Sequence, residues 1–171
     1  MEILIPGLLL VALMVYASTK IKKNAAAAYD EETVATDHLS ITKPEGMIIP
    51  VKSEKDVLFE AYSRDFGIDE AGEIRQIAAV VRRYEGTDID SVKLAIEQEN
   101  SEVREIAGKV GDQRMIRQQF LRYERDAEIR ETVKLVQTND AVTELRISAL
   151  TYHDDINLAK VEQMLDSFRA N

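Results

Sequence analysis

The sequence predicts an α+β fold, with a single N-terminal transmembrane helix followed by an antiparallel sheet flanked by helices. Three stretches predict it. Ile3 to Ser18 carries no charge and is built almost wholly of Leu, Ile, Val, Met, Ala and Tyr, and Lys20, Lys22 and Lys23 follow at once. Thr143, Leu145, Ile147 and Ala149 alternate with Glu144, Arg146 and Ser148, the pattern of a half-buried strand with a polar outer face. Val161, Met164, Leu165 and Phe168 form an apolar helical stripe behind Asp154 and Asp155. The alternative is a mostly helical cytoplasmic domain, and the stretch Gln113 to Thr138 decides between the two.

Counted from Ile3 to Ile21 the N-terminal run holds about 19 residues. As a helix it measures ~28 Å at ~1.5 Å per residue, against ~30 Å of bilayer hydrocarbon. A cleaved signal would use Val15-Tyr16-Ala17 as its processing site. Such signals open on a basic region, however, and the only side-chain charge before this core is Glu2. The run therefore reads as a retained anchor, with Pro6 harmless in its first turn. The three lysines on its C-terminal side place the following domain in the cytoplasm and the N-terminus outside. The chain divides into an anchor (1–23), a linker (24–38) and a soluble α+β domain (39–171). The expected partners are the lipid bilayer and other membrane-protein subunits, met through the span Ile3–Ile21 and through the soluble domain.

Taken in order, Ala25 to Ala28 prolong the first helix, alanine having the best helix propensity, before Asp30, Glu31 and Glu32 turn it polar. Leu39-Ser40-Ile41 alternates as a strand and stops at the turn Lys43-Pro44-Glu45-Gly46. Met47 to Val51 is a short apolar run broken by Pro50. Asp56 to Arg64 reads as a strand through Val57, Phe59 and Tyr62. Asp69 to Gly86 predicts a helix: Ile74, Ile77, Ala78 and Val81 follow the i, i+3, i+4, i+7 pattern, and acidic residues lead where Arg82 and Arg83 close. Asp90 caps a second helix through Glu99, with Val92, Ala95 and Ile96 inward. Ser101 to Gly111 stays open, since Val103, Ile106, Ala107 and Val110 have helical spacing while Gly108 and Gly111 weaken it. Within Gln113 to Thr138, Ile116, Phe120 and Tyr123 fit a helix. Ile129, Val133 and Leu135 fit a strand face, among β-branched Thr132, Val133 and Val136. Asn139-Asp140 reads as a tight turn. Ile129 to Tyr152 is thus a hairpin, and the sheet extends back to Arg114–Tyr123.

Net charge is −9, and there is no cysteine in the 171 residues. An acidic domain is repelled by nucleic acid, so no nucleic-acid partner is expected. The absence of cysteine removes disulfides, thiolate zinc sites and cysteine nucleophiles.

Three pieces carry a resemblance to a known family: Leu39-Ser40-Ile41 with Pro44-x-Gly46, Leu145-Arg146-Ile147-Ser148, and Met164-Leu165-Asp166-Ser167-Phe168. Together they resemble the PsbP/DcrB-like superfamily. There, a strand reading F-S-I-x-x-P-x-G opens the domain and a final strand leads into a helix ending L-x-S-F. The resemblance spans about Asp37 to Arg169, with Leu39 in place of the usual Phe and Met47 in place of an aromatic. It implies an α/β/α sandwich and a non-enzymatic role. PsbP itself is an extrinsic photosystem II subunit, and other members are small tethered or soluble binding proteins.

No G-x-S-x-G, H-E-x-x-H, Walker-type or G-x-G-x-x-G motif is present. His153 with Asp154 and Asp155 offers metal-ligand types, but adjacent ligands rarely share a geometry, and the group reads as a polar loop capping a helix. His38 lies alone at the end of the linker. Asp65, Asp69, Glu70 and Glu73 are explained by helix-start electrostatics. Arg117, Arg122, Arg125 and Arg130 form a basic stretch for an acidic partner, or else balance Glu124, Glu128 and Glu131. No catalytic, cofactor-binding or metal residue is assigned, and no cofactor is expected. The function read from the sequence is a membrane-anchored, non-catalytic accessory subunit of a larger membrane complex, with photosynthetic or respiratory complexes first by analogy. The alternative is a tethered small-ligand binder or enzyme with a pocket between sheet and helices.

Overall fold

Strands dominate the computed structural model, which describes residues 4–53, 55–100, 103–110 and 112–171. Helix α1 (Leu4–Ala27) leads into strands β1 (Glu32–Ala35), β2 (Leu39–Lys43), β3 (Met47–Ile48), β4 (Val57–Ser63) and β5 (Ile77–Glu85). Helix α2 (Ile89–Glu99) follows, then β6 (Arg104–Val110), β7 (Gln113–Glu124), β8 (Ala127–Gln137) and β9 (Ala141–Leu150). Helix α3 (Asp154–Ser167) and β10 (Arg169–Ala170) close the chain. A seven-stranded sheet runs in the order β3-β4-β5-β9-β8-β7-β6, and a three-stranded sheet in the order β1-β2-β10. The pairings between strands are antiparallel.

Register assigns the two faces of the large sheet, because residues directly opposed share a face. Ile77, Ala79 and Val81 of β5 lie opposite Ala149, Ile147 and Leu145 of β9. This face packs with Val161, Met164, Leu165 and Phe168 of α3 and with Leu39 and Ile41 of β2 into the main core. On the other face, Ile89, Val92 and Ile96 of α2 pack on Ile116, Phe120, Val133, Leu135 and Val142. The β7–β8 hairpin turns at Arg125 (φ 50°) and Asp126 (φ 64°), the two positive dihedrals that a two-residue turn matched to strand twist requires. Asp88, rather than the predicted Asp90, caps α2: its Oδ1 accepts from the Ser91 N–H at 2.9 Å. Asp90 instead pairs with both Arg114 Nη atoms at 2.6 and 2.7 Å.

Two expectations are corrected here. Among the described residues, no helix is long and apolar enough to cross a membrane. The single-span fold class and the single-pass location with a cytoplasmic domain fall with that finding; the mostly helical alternative falls because Gln113–Glu124 and Ala127–Gln137 are strands. The predicted span Ile3–Ile21 begins outside the described residues, and the side chains of residues 4–10, 12 and 24 of α1 also lie outside them. Past Ala17 the helix turns polar, with Ser18, Thr19, Lys20, Lys22 and Lys23. Second, the helix expected over Asp69–Gly86 is strand β5, preceded by a single 3-10 turn at Asp69–Ala71. Ile77, Ala79 and Val81 are buried while Ala78 and Val80 are half-buried. A strand covered on both faces gives a continuous apolar run that helical spacing fits by coincidence. The open stretch Ser101–Gly111 holds strand β6. Part of the stretch expected as linker is also structured, with β1 pairing along β2.

Two buried lysines use backbone carbonyls as partners. Lys43 is 1% exposed, and its Nζ donates to Met47 O at 2.9 Å, Ala28 O at 3.2 Å and Asp30 O. This ammonium fastens the end of α1 to the start of β3. Lys134 donates to Leu165 O at 2.5 Å and Phe168 O at 3.3 Å, carbonyls at the C-terminal end of α3 where a cation is favourable. Burial pulls the Lys134 ammonium down to about 8, and nearby Arg169 and Arg117 add to the effect. Below about 8 the folded and unfolded chains both hold this proton, and the cost of keeping it in the fold is fully present. As pH rises from about 8 towards 10.5 the folded chain releases it first, so stability rises across that window. Urea unfolding at a series of pH values is expected to show this rise in the native chain relative to Lys134→Met, which lacks the titrating group.

Candidate functional site

The sheet face under α2 is only partly covered. Helix α2 sits over β7, β8 and the start of β9. At the other end Ala71 and Ile74, around the 3-10 turn, close over Ile129 and Leu150. Gly67 lets this turn approach closely: a Cβ there would lie 2.5 Å from Ala71 O and 2.6 Å from Tyr152 Oη. Between these two covers lies an open strip. It carries Glu60 of β4, Val80, Arg82 and Tyr84 of β5, and Arg146 and Ser148 of β9, all half-buried. Register places Val80 opposite Arg146 and Glu60, and Arg82 opposite Glu144.

Two carboxylates sit beneath the strip. Glu144 is 1% and Glu131 3% exposed, and both are in central strands. Glu144 Oε2 accepts from Tyr84 Oη at 2.6 Å, and its Oε1 accepts from Arg146 Nε at 2.7 Å. Glu131 Oε1 accepts from Arg122 Nε at 2.7 Å and Ser148 Oγ at 2.9 Å, while its Oε2 has no hydrogen-bond partner. Buried carboxylates are tolerated when such donors compensate them. Burial pushes the Tyr84 phenol up to about 12, helped by the hydrogen bond to Glu144 and its negative charge. Tyr84 therefore stays a protonated donor throughout the physiological range. Where α2 meets the strip there is a cleft of about 280 Å3, with walls from Val92, Ala95 and Ile96 and a polar floor from Tyr84, Glu144 and Arg146. Guanidinium–carboxylate pairs and a phenol held as a donor are groups that can bind and orient a neighbour.

The sequence candidates are not gathered here. Arg117 and Arg122, five apart on β7, point to opposite faces of the sheet. Arg117 pairs with Glu162 of α3 at 2.6 Å, Arg122 with Glu131 and Glu124, and Arg125 with Glu73. The basic stretch is therefore no single patch. Asp65, Asp69 and Glu73 surround the 3-10 turn and start no α-helix; the side chain of Glu70 lies outside the described residues. His38 is exposed between β1 and β2. The side chains of His153, Asp154 and Asp155 also lie outside the described residues. Among the described residues, no group of three or more His, Cys, Asp or Glu is placed to hold a metal ion. Glu144, Arg146 and Tyr84 went unnoticed as a site. The alternation in β9 marks the polar face, but the phenol that completes the network is some sixty residues away in β5.

No family model matches the chain, and comparison with curated proteins gives no match. Solved structures do. LpqN of Mycobacterium tuberculosis, described as involved in cell envelope biogenesis, aligns at 11% identity and a TM-score of 0.61 over 83% of this chain and 91% of its own. The cyanobacterial PsbP of Synechocystis aligns at 10% and 0.53 over 84% and 94%. The Ran-binding protein Mog1p of Saccharomyces cerevisiae aligns at 11% and 0.51 over 82% and 95%. The fold is PsbP-like. A structure from Bacteroides thetaiotaomicron, at 12% and 0.52, matches 78% of this chain, which spans only 45% of that one. At these identities the likeness concerns the fold alone, and it agrees with the resemblance carried by the three sequence pieces.

Proposed function

We propose that this chain is a non-catalytic accessory protein that holds a protein partner against the open strip of its sheet. The observation that carries this reading is the pair of buried carboxylates fixing Arg146, Arg122 and Tyr84 from beneath. Arginine and tyrosine dominate binding hot spots, and side chains already held in place lose little entropy when a partner covers them. Charges neutralised within the surface also cost less to desolvate. One protein of this fold is described as Ran-binding, which supports protein docking as a use of the scaffold. By analogy with PsbP, energy-transducing complexes are the first in which to seek the partner.

The test is capture of a partner by the full-length chain from cells that make it, compared with a Val80→Lys variant checked for folding by circular dichroism. Loss of capture in the variant is expected. Equal capture by both chains overturns the assignment.

A second reading, a small amphipathic ligand, is favoured by the cleft between Val92, Ala95, Ile96 and the Glu144–Arg146 pair. Ala95→Trp fills that cleft. It is expected to abolish small-ligand binding while leaving protein capture through Val80 in place.

A further inference from the structure

We propose that β6 pairs with β6 of a second copy of this chain, antiparallel and centred on Ala107, joining two seven-stranded sheets into one. The large sheet ends at one side in β3, only two residues long, and at the other in β6, seven residues long. Strand β6 is bonded to β7 along its whole length. Among the described residues, no strand lies along its outer edge. Arg104 to Lys109 are all exposed, Ile106 at 53%. Such an edge presents a row of unpaired N–H and C=O groups.

Symmetry limits how two copies can meet. A two-fold axis perpendicular to the joined sheet keeps each face on its own side, so opposed residues must come from the same face. Of the registers this allows, the one centred on Ala107 pairs all seven residues. It sets Glu105 opposite Lys109 twice, once on each side of the axis, and opposite charges directly across a strand pair stabilise it. It also sets Ile106 opposite Gly108, where the absent side chain leaves room for the isoleucine. Glu105 is held in place by Lys93, whose Nζ lies at 2.7 Å. A lysine on an edge strand ordinarily deters pairing. Here it deters foreign strands, while a second β6 brings the matching carboxylate.

The full chain is examined by sedimentation velocity across a concentration series, with circular dichroism confirming that each variant folds. The native chain is expected to form a dimer. Lys109→Glu alone and Glu105→Lys alone each oppose like charges, and each is expected to raise the dissociation constant roughly tenfold or more. Mixing the two variants is expected to restore dimers, because one strand then carries two carboxylates opposite two ammonium groups on the other. A native chain that stays monomeric overturns the proposal. So does a dimer that both variants leave unchanged, or a pair of variants that fails to associate on mixing.

Discussion

Replacing Phe168 by alanine is expected to lower the free energy of unfolding by about 3–5 kcal/mol, the range for emptying a large aromatic site in a packed core. The ring is fully buried in the main core, between α3 and β2, and the Lys134 ammonium stands 5.7 Å from its centre. Its backbone is equally engaged: Phe168 N donates to Met164 O at 3.0 Å, and Phe168 O accepts from Lys134 and from Arg169 Nη1 at 2.8 Å. The cavity therefore opens where α3, β10 and the three-stranded sheet are fastened together. Denaturant unfolding checks the magnitude. Phe168→Leu, which keeps most of the volume, is expected to lose less than half as much.

Replacing Glu144 by alanine is expected to cost about 3 kcal/mol, because it leaves the Arg146 guanidinium and the Tyr84 phenol of the strip without their shared acceptor. A second readout separates this from simple loss of packing. In the native chain Tyr84 ionises at about 12. A folded value above the ordinary 10 means that stability from this group is fully present below pH 10 and is lost as pH rises towards 12. Without Glu144 the phenol keeps only the effect of burial, the larger cause. Its ultraviolet titration is expected to move below 12 and to stay above 10. An unchanged Tyr84 titration would mean that the 2.6 Å hydrogen bond does not act as described.

Much of the sheet is legible because these strands each carry an apolar face, that of β9 turned towards α3 and that of β8 towards α2. Leu145, Ile147 and Ala149 set β9, and Ile129, Val133 and Leu135 set β8. Val92 and Ile96 found α2, and Val161, Met164, Leu165 and Phe168 found α3. Strand β5 imitates a helix because its second face is half-covered, so that Ala78 joins Ile74, Ile77 and Val81 in a helical spacing. Strand β6 is ambiguous in sequence because, on the exposed edge, no burial shapes it and Gly108 is tolerated. The strip itself was hidden for a different reason. Glu144, Arg146 and Ser148 look like an ordinary wetted strand face. That Glu144 is buried depends on Tyr84, brought beside it by a pairing of β5 with β9 across three intervening strands and a helix. Local patterning cannot carry such a juxtaposition.

Because the chain contains no cysteine, a single introduced one is a unique attachment point for a photoactivatable crosslinker. Placed by Val80→Cys it sits in the middle of the open strip. Placed by Val51→Cys it sits in the loop between β3 and β4, at a fully exposed position. The account predicts that, in cells, irradiation joins the chain to one partner protein from Val80→Cys and not from Val51→Cys. Crosslinking to the same proteins from both positions, or none from Val80→Cys, would contradict it.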